Sequence, residues 1–253
     1  MVCTADCWRA LGPERPFYAL APHGSRGTTV PDTVEAMAAD DVTRLRAVVP
    51  CGPYALAGYC ASGTVAYEMA RQLRHAGETV EAVIMLNGAA KNAGYLAVHR
   101  LVHVVGDRLN LSPATQRRIF VRLRHYHARA GLVRRLRVGA SVRRVRTLRR
   151  WSATLPAPTT PARAPDSLHD PAVHEAHARF PAITAAYIPR RYDGRVLLCT
   201  AITHNAGTTD DPTLGWGRFA RDIAVHPFPG YQNDLVTTHV EQVAACIERS
   251  LDR

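Results

Sequence analysis

With 253 residues, 47% hydrophobic and 21% charged, the chain is too apolar for a disordered protein and long enough to bury one ordinary core, so residues 1–253 read as a single domain. A formal net charge of +11 points to acidic partners. Six cysteines, Cys3, Cys7, Cys51, Cys60, Cys199 and Cys246, show neither C-x-x-C spacing nor a framework pattern, which argues against a zinc site or a disulfide scaffold and fits a reducing, cytoplasmic setting.

The start of the chain carries no apolar leader, and no run approaches the length of a membrane span, so no membrane partner is expected. Phe17–Leu20 predicts a first strand, followed by a Gly/Pro/Ser/Thr-rich loop. Asp32 with Glu35 predicts a capping box, and Val34, Met37, Ala38, Val42 and Leu45 recur at helical spacing until Pro50 closes the helix. Tyr54–Ala57 is an uncharged run suited to a buried parallel strand. Gly58-Tyr59-Cys60-Ala61-Ser62-Gly63 then packs small residues around one thiol, the composition a sharp strand-to-helix turn demands. A helix over 63–75 stops at Gly77, and Val80–Leu86 predicts another fully buried strand. Alternating strands and helices predict an α/β fold with a doubly wound, mainly parallel sheet.

Beyond the third strand the pattern departs into an insertion over about residues 90–187. Ser112-Pro113 marks a helix start, with Ile119, Phe120, Leu123 and Tyr126 as its apolar stripe. From Arg117 to Arg150 arginines dominate and acids are absent. Pro156–Pro165 forms a hinge. Asp170-Pro171 opens a helix towards Tyr187, interrupted at Pro181. Strands are predicted over 195–201 and 223–228, and Thr238 with Glu241 caps a last helix with Val240, Val243, Ala244, Ile247 and Leu251 on its buried face.

Gly52-Pro53-Tyr54, the turn at Cys60 and Val65–Leu73 together resemble the thioesterase family that ends polyketide and non-ribosomal peptide assembly lines, within the α/β-hydrolase superfamily. Leu11-Gly12-Pro13, Pro16–Leu20, Tyr192–Leu198, Asp211–Trp216 and Phe228-Pro229-Gly230 are similar to further family segments. The resemblance implies an α/β-hydrolase-type sheet and makes the arginine-rich insertion a helical lid. It also implies one more central strand ahead of the position of Leu11. Without it, strand ladders face a gap at about 1 kcal/mol or more per unpaired buried group, unless the strands close up or the strand comes from an upstream segment or another chain; the remaining alternative is a decayed gene product.

The same resemblance puts Cys60 at the nucleophile position, Asn87 at the position of the triad acid and Gln232 at that of the base, and the Ala61 N–H in half of the oxyanion hole. A thiol at a helix N-terminus is a credible nucleophile, because its pKa falls from about 8.5. An amide can orient an imidazole, but Gln232 cannot take and return a proton. His226 and His239 read as structural, and His204, followed by Asp210 and Asp211, is the alternative base. The implied activity is a thioesterase acting on carrier-bound acyl or peptidyl thioesters through an acyl-Cys60 intermediate, with impaired turnover; the alternative is an inactive carrier-binding protein. No cofactor or metal is implied, the acyl group itself riding on the phosphopantetheine of an acyl or peptidyl carrier protein. The arginine run, including Arg134, Arg135, Arg137, Arg143, Arg144, Arg146, Arg149 and Arg150, reads as a solvated face or as a dock for that acidic carrier. Sparse aromatic interleaving and the lack of a reader motif argue against nucleic acid.

Overall fold

Residues 16–24, 28–138, 171–205 and 211–252 are described in the computed structural model of the protein. The chain divides into two compact units, Met1–Leu96 with His169–Arg253, and Ala97–Leu168.

Thr33, extended at φ −139°, opens α1 (Val34–Val48), its hydroxyl accepting the Ala36 N–H at 3.1 Å. The cap therefore falls one residue after the predicted Asp32, which instead pairs with Arg179. The predicted apolar face of α1 is buried. β1 (Tyr54–Tyr59), α2 (Ser62–His75) and β2 (Val80–Leu86) follow, with Gly77 at φ 84° ending α2.

In the second unit, α3 (Leu96–Arg108) precedes α4 (Pro113–Val138), whose start is capped by Ser112 Oγ accepting the Thr115 N–H at 3.3 Å. Phe120 is buried, but Leu123 and Tyr126 are exposed, so the predicted stripe of α4 is not one buried face. Arg143, Arg144, Arg146, Arg149 and Arg150, and Pro156–Pro165, lie outside the described residues. Arg134, Arg135 and Arg137 lie in the stretch of α4 described by its backbone alone.

α5 (Pro171–Ala186) continues through Pro181 rather than breaking there. Thr184 Oγ1 donates to the carbonyls of Phe180 and Pro181 at 3.1 and 3.2 Å in that turn. After β3 (Tyr192–Ala201) and β4 (Ala220–Phe228), α6 (Val240–Leu251) closes the described chain. His239, not Thr238, is its N-cap and makes no side-chain cap bond; its backbone N–H donates to Asp234 O at 2.7 Å and fixes the helix start instead.

The four described strands form one parallel sheet in the order β1-β2-β3-β4. Alternation along the central strands divides two apolar layers. Val83, Met85, Val196 and Leu198 join the layer of α1 and α2, whereas Ile84, Leu86, Leu197 and Cys199 join that of α6. Burial on both faces explains why β2 reads as a continuous apolar run from Ala82 to Leu86. The predicted strand Phe17–Leu20 is absent from the sheet, and Phe17 and Tyr18 are 45% and 54% exposed. Strand propensity expresses itself only against a partner ladder, and β1 is the last described strand at its end of the sheet. No helix among the described residues is long and apolar enough to cross a membrane.

One buried charge ties helix to loop within the first unit. Glu68, 1% exposed on α2, accepts two bonds from the Arg71 guanidinium at 2.8 and 2.6 Å, one from Gln72 at 3.0 Å and one from the Tyr187 hydroxyl at 2.8 Å. Burial alone would push its carboxyl up, but the bonds from Arg71, Gln72 and Tyr187 together hold it below the usual value of 4.5. A depressed folded pKa supplies stability above the unfolded value and loses it as pH falls, so the protein should weaken on acidification below about 4.5. Glu68→Gln should cost about 2–4 kcal/mol at neutral pH, because Arg71 keeps a half-buried charge, and should flatten that acid limb. Urea melts of both proteins at pH 7 and pH 4 check this; an undiminished acid limb in the variant would refute it.

Candidate active site

The end of β1 can turn sharply because its neighbours lack side chains. A Cβ added at Gly58 would stand 2.4 Å from Gly63 N, and one at Gly88 would stand 2.7 Å from Cys60 O. Strand, helix start and the loop after β2 therefore pass at backbone distance. Cys60 sits at the apex with φ 55°, a left-handed conformation costing a non-glycine residue about 1–2 kcal/mol. Its N–H donates to Leu86 O at 2.8 Å, carrying the ladder one residue beyond the strand and holding the apex in place. α2 begins two residues later, so its first N–H groups lie beside the thiol. The Ala61 N–H has no hydrogen-bond partner among the described residues.

Asn87 also adopts φ 55° and is buried. Its N–H donates to Cys199 O at 2.8 Å and its Oδ1 accepts the Ala201 N–H at 2.9 Å, so Asn87 pins the end of β2 to β3. Gly88 O in turn accepts the indole N–H of the fully buried Trp216 at 2.8 Å.

Gln232 comes from the loop after β4, at the opposite end of the strand order from β1. Gly230, at φ 89°, turns the chain after β4, and Asp234 Oδ2 accepts the Tyr231 N–H at 2.6 Å to close the loop. The Tyr59 hydroxyl donates to Asn233 Oδ1 at 2.7 Å, tying that loop to the residue before Cys60. Burial and then the neighbouring Cys60 push the Tyr59 phenol up, while a hydrogen bond with Gln232 pulls it the other way.

These elements enclose a cavity of about 190 Å³ lined by Cys60, Ala61, Asn87 and Gln232, together with Thr64, Thr184 and Tyr187. The structure thus brings the four sequence-predicted site residues to one place. Among the described residues that line it, none is a histidine or a carboxylate. His226 lies on β4 opposite Cys199, and His239 Nδ1 contacts Gln242 Oε1 at 2.7 Å. His204 is in a short helix, Ile202–Asn205, of which its side chain is not described; Thr203 N–H donates to Gly230 O at 3.0 Å and sets that turn beside the Gln232 loop. Asp211 bonds the Thr213 hydroxyl and the Thr213 and Gly215 amides, which hold its carboxyl low, and Asp210 lies outside the described residues. Sequence reasoning passed over Lys91, which also lines the cavity. Lys91 is the only lysine in the chain, but nothing in the sequence places it beside Cys60.

Residues 8–100 match the model of the thioesterase domain family. Over 79 residues, 31% of this chain, it is 44% identical to an indigoidine synthase of Dickeya dadantii, covering 5% of that protein. Over 86 residues, 34% of this chain, it is 37% identical to a dimodular nonribosomal peptide synthase of Bacillus subtilis, covering 4% of it. The chain therefore aligns with only about a twentieth of the length of these curated relatives. Among solved structures, the thioesterase domain of NocB from the nocardicin cluster superposes with a TM-score of 0.51 at 22% identity, over 96% of this chain and 78% of the other. The RedJ thioesterase of Streptomyces coelicolor does so with a TM-score of 0.53 at 16% identity, over 97% and 79%. Both likenesses support an α/β-hydrolase fold.

The thiols separate by access. Cys199 and Cys246 are buried; a hydrogen bond from Cys199 lowers the Cys246 thiol to about 7, yet Cys246 is only 3% exposed. Iodoacetamide at neutral pH should therefore modify Cys60 faster than either, with exposed Cys51 as the reference. Equal rates by peptide mass spectrometry would overturn the reading of Cys60 as a primed, accessible thiol.

Proposed function

We propose that this chain, whose residues 8–100 match the thioesterase domain family and whose relatives include a nonribosomal peptide synthase, takes an acyl or peptidyl group from a carrier-bound thioester onto Cys60 and releases it slowly. The observation that carries this reading is Cys60 at φ 55°, at the mouth of a helix and in one cavity with the unpartnered Ala61 N–H. Cys60 Sγ attacks the thioester carbonyl, a new C–S bond forms, and the arm's sulfur leaves with its electron pair and collects the Cys60 proton. Thiol-to-thiol exchange is nearly balanced and needs little base. The Ala61 N–H faces the charge that develops on the carbonyl oxygen.

Release to water or an amine is the harder step, since it needs a group that removes a proton from the incoming nucleophile. Gln232 is an amide and cannot do so. Acyl-Cys60 should therefore accumulate. A carrier protein supplies the substrate in this reading, and its acidic surface suits a chain of net charge +11. The lack of any histidine or carboxylate among the described lining residues also favours a second reading, a carrier-binding protein without turnover.

Loading the protein from a small mass-tagged thioester and following decay of the adduct distinguishes them. Gln232→His should accelerate decay by about 10²- to 10⁴-fold, and Asn87→Asp added to it should help further by stabilising the imidazolium. Rapid decay in the parent would refute the missing base. No adduct at all would leave the binding reading, and equal decay in parent and variants would show that Gln232 does not face the thiol.

A further inference from the structure

We propose that Lys91 makes this cavity select thioesters bearing an anionic group, either a carboxylate on the acyl chain or the phosphate of the pantetheine arm; the thioester part of this inference rests on the reading of Cys60 above. The chain carries 32 basic residues, and Lys91 is its only lysine. It lines the same cavity as Cys60, Asn87 and Gln232.

Its backbone is held on both sides. Ala90 N–H donates to Leu214 O at 2.9 Å, and the buried Asn92 side chain donates to the carbonyls of Ala185 and Tyr187 at 2.8 and 2.7 Å. A fixed backbone therefore carries a compact ammonium on a flexible stem at the edge of the cavity. Lys91 is exposed; its backbone N–H donates to Ala89 O at 3.0 Å, while its ammonium has no ion-pair or hydrogen-bond partner among the described residues. Among the described lining residues no carboxylate balances it, so a ligand anion would meet one uncompensated positive charge. Thr64, Thr184 and Tyr187, which also line the cavity, are neutral at physiological pH and offer no competing charge.

Two alkylating reagents that differ in charge test this without any acyl transfer. In both reactions the Cys60 thiolate forms the S–C bond, iodide leaves with the electrons of the C–I bond, and the thiol proton goes to solvent. The ratio of iodoacetate to iodoacetamide rates at Cys60 should fall about three- to tenfold in Lys91→Met, hold in Lys91→Arg, and stay unchanged at Cys51 in all three proteins. An unchanged ratio at Cys60 in Lys91→Met overturns the proposal, whatever acylation shows.

Acylation then assigns the source of the anion. Glutaryl against butyryl N-acetylcysteamine thioesters report on an acyl carboxylate, and butyryl phosphopantetheine against butyryl pantetheine reports on the arm. A preference for the charged member that Lys91→Met removes identifies the source and supports the proposal; no preference in either pair overturns it for thioesters. Failure of all four to load Cys60 sinks the thioesterase reading alone, because the alkylation ratio still decides the role of Lys91.

Discussion

Everything at the site depends on three backbone segments crossing closer than side chains permit. Gly58, Gly63 and Gly88 provide that crossing, and Cys60 is driven into a left-handed conformation at its centre. The cost is local, while the support is distributed: the Cys60 and Asn87 N–H groups extend the β1–β2 and β2–β3 ladders, and Trp216 holds Gly88 from below. A strained apex persists when its surroundings over-determine it, as these do.

Electrostatically the cavity is unusual for a site with a nucleophile. Asn87 spends its oxygen on the Ala201 amide, Gln232 is an amide, and the described lining charge is a single ammonium. Such a site can stabilise developing negative charge and hold an acyl group. It is poorly equipped to activate water. Chemistry that exchanges one sulfur for another is what this arrangement suits.

Much of this was legible in the sequence because it rests on local rules. The apolar run Ala82–Leu86 read as a strand buried on both faces, and the small residues around Cys60 read as a tight turn. The convergence of Cys60, Asn87 and Gln232, far apart in the chain, came from family resemblance and not from periodicity. Phe17–Leu20 misled because its strand pattern says nothing about whether a ladder partner exists. The caps shifted by one residue, from Asp32 to Thr33 and from Thr238 to His239, because neighbouring polar residues compete for the same role and tertiary bonds decide between them. Lys91 was hidden for another reason: its significance lies in the neutrality of residues that only the fold brings near it.

The Glu68 cluster has a mechanical consequence. Its carboxylate grips Tyr187, which together with Thr184 borders the space above the thiol, while its own helix begins just past Cys60. Cys60 and the wall that Tyr187 forms are thus tied to the same helix, so a change that loosens the grip of Glu68 would be felt in the cavity as well as in the core.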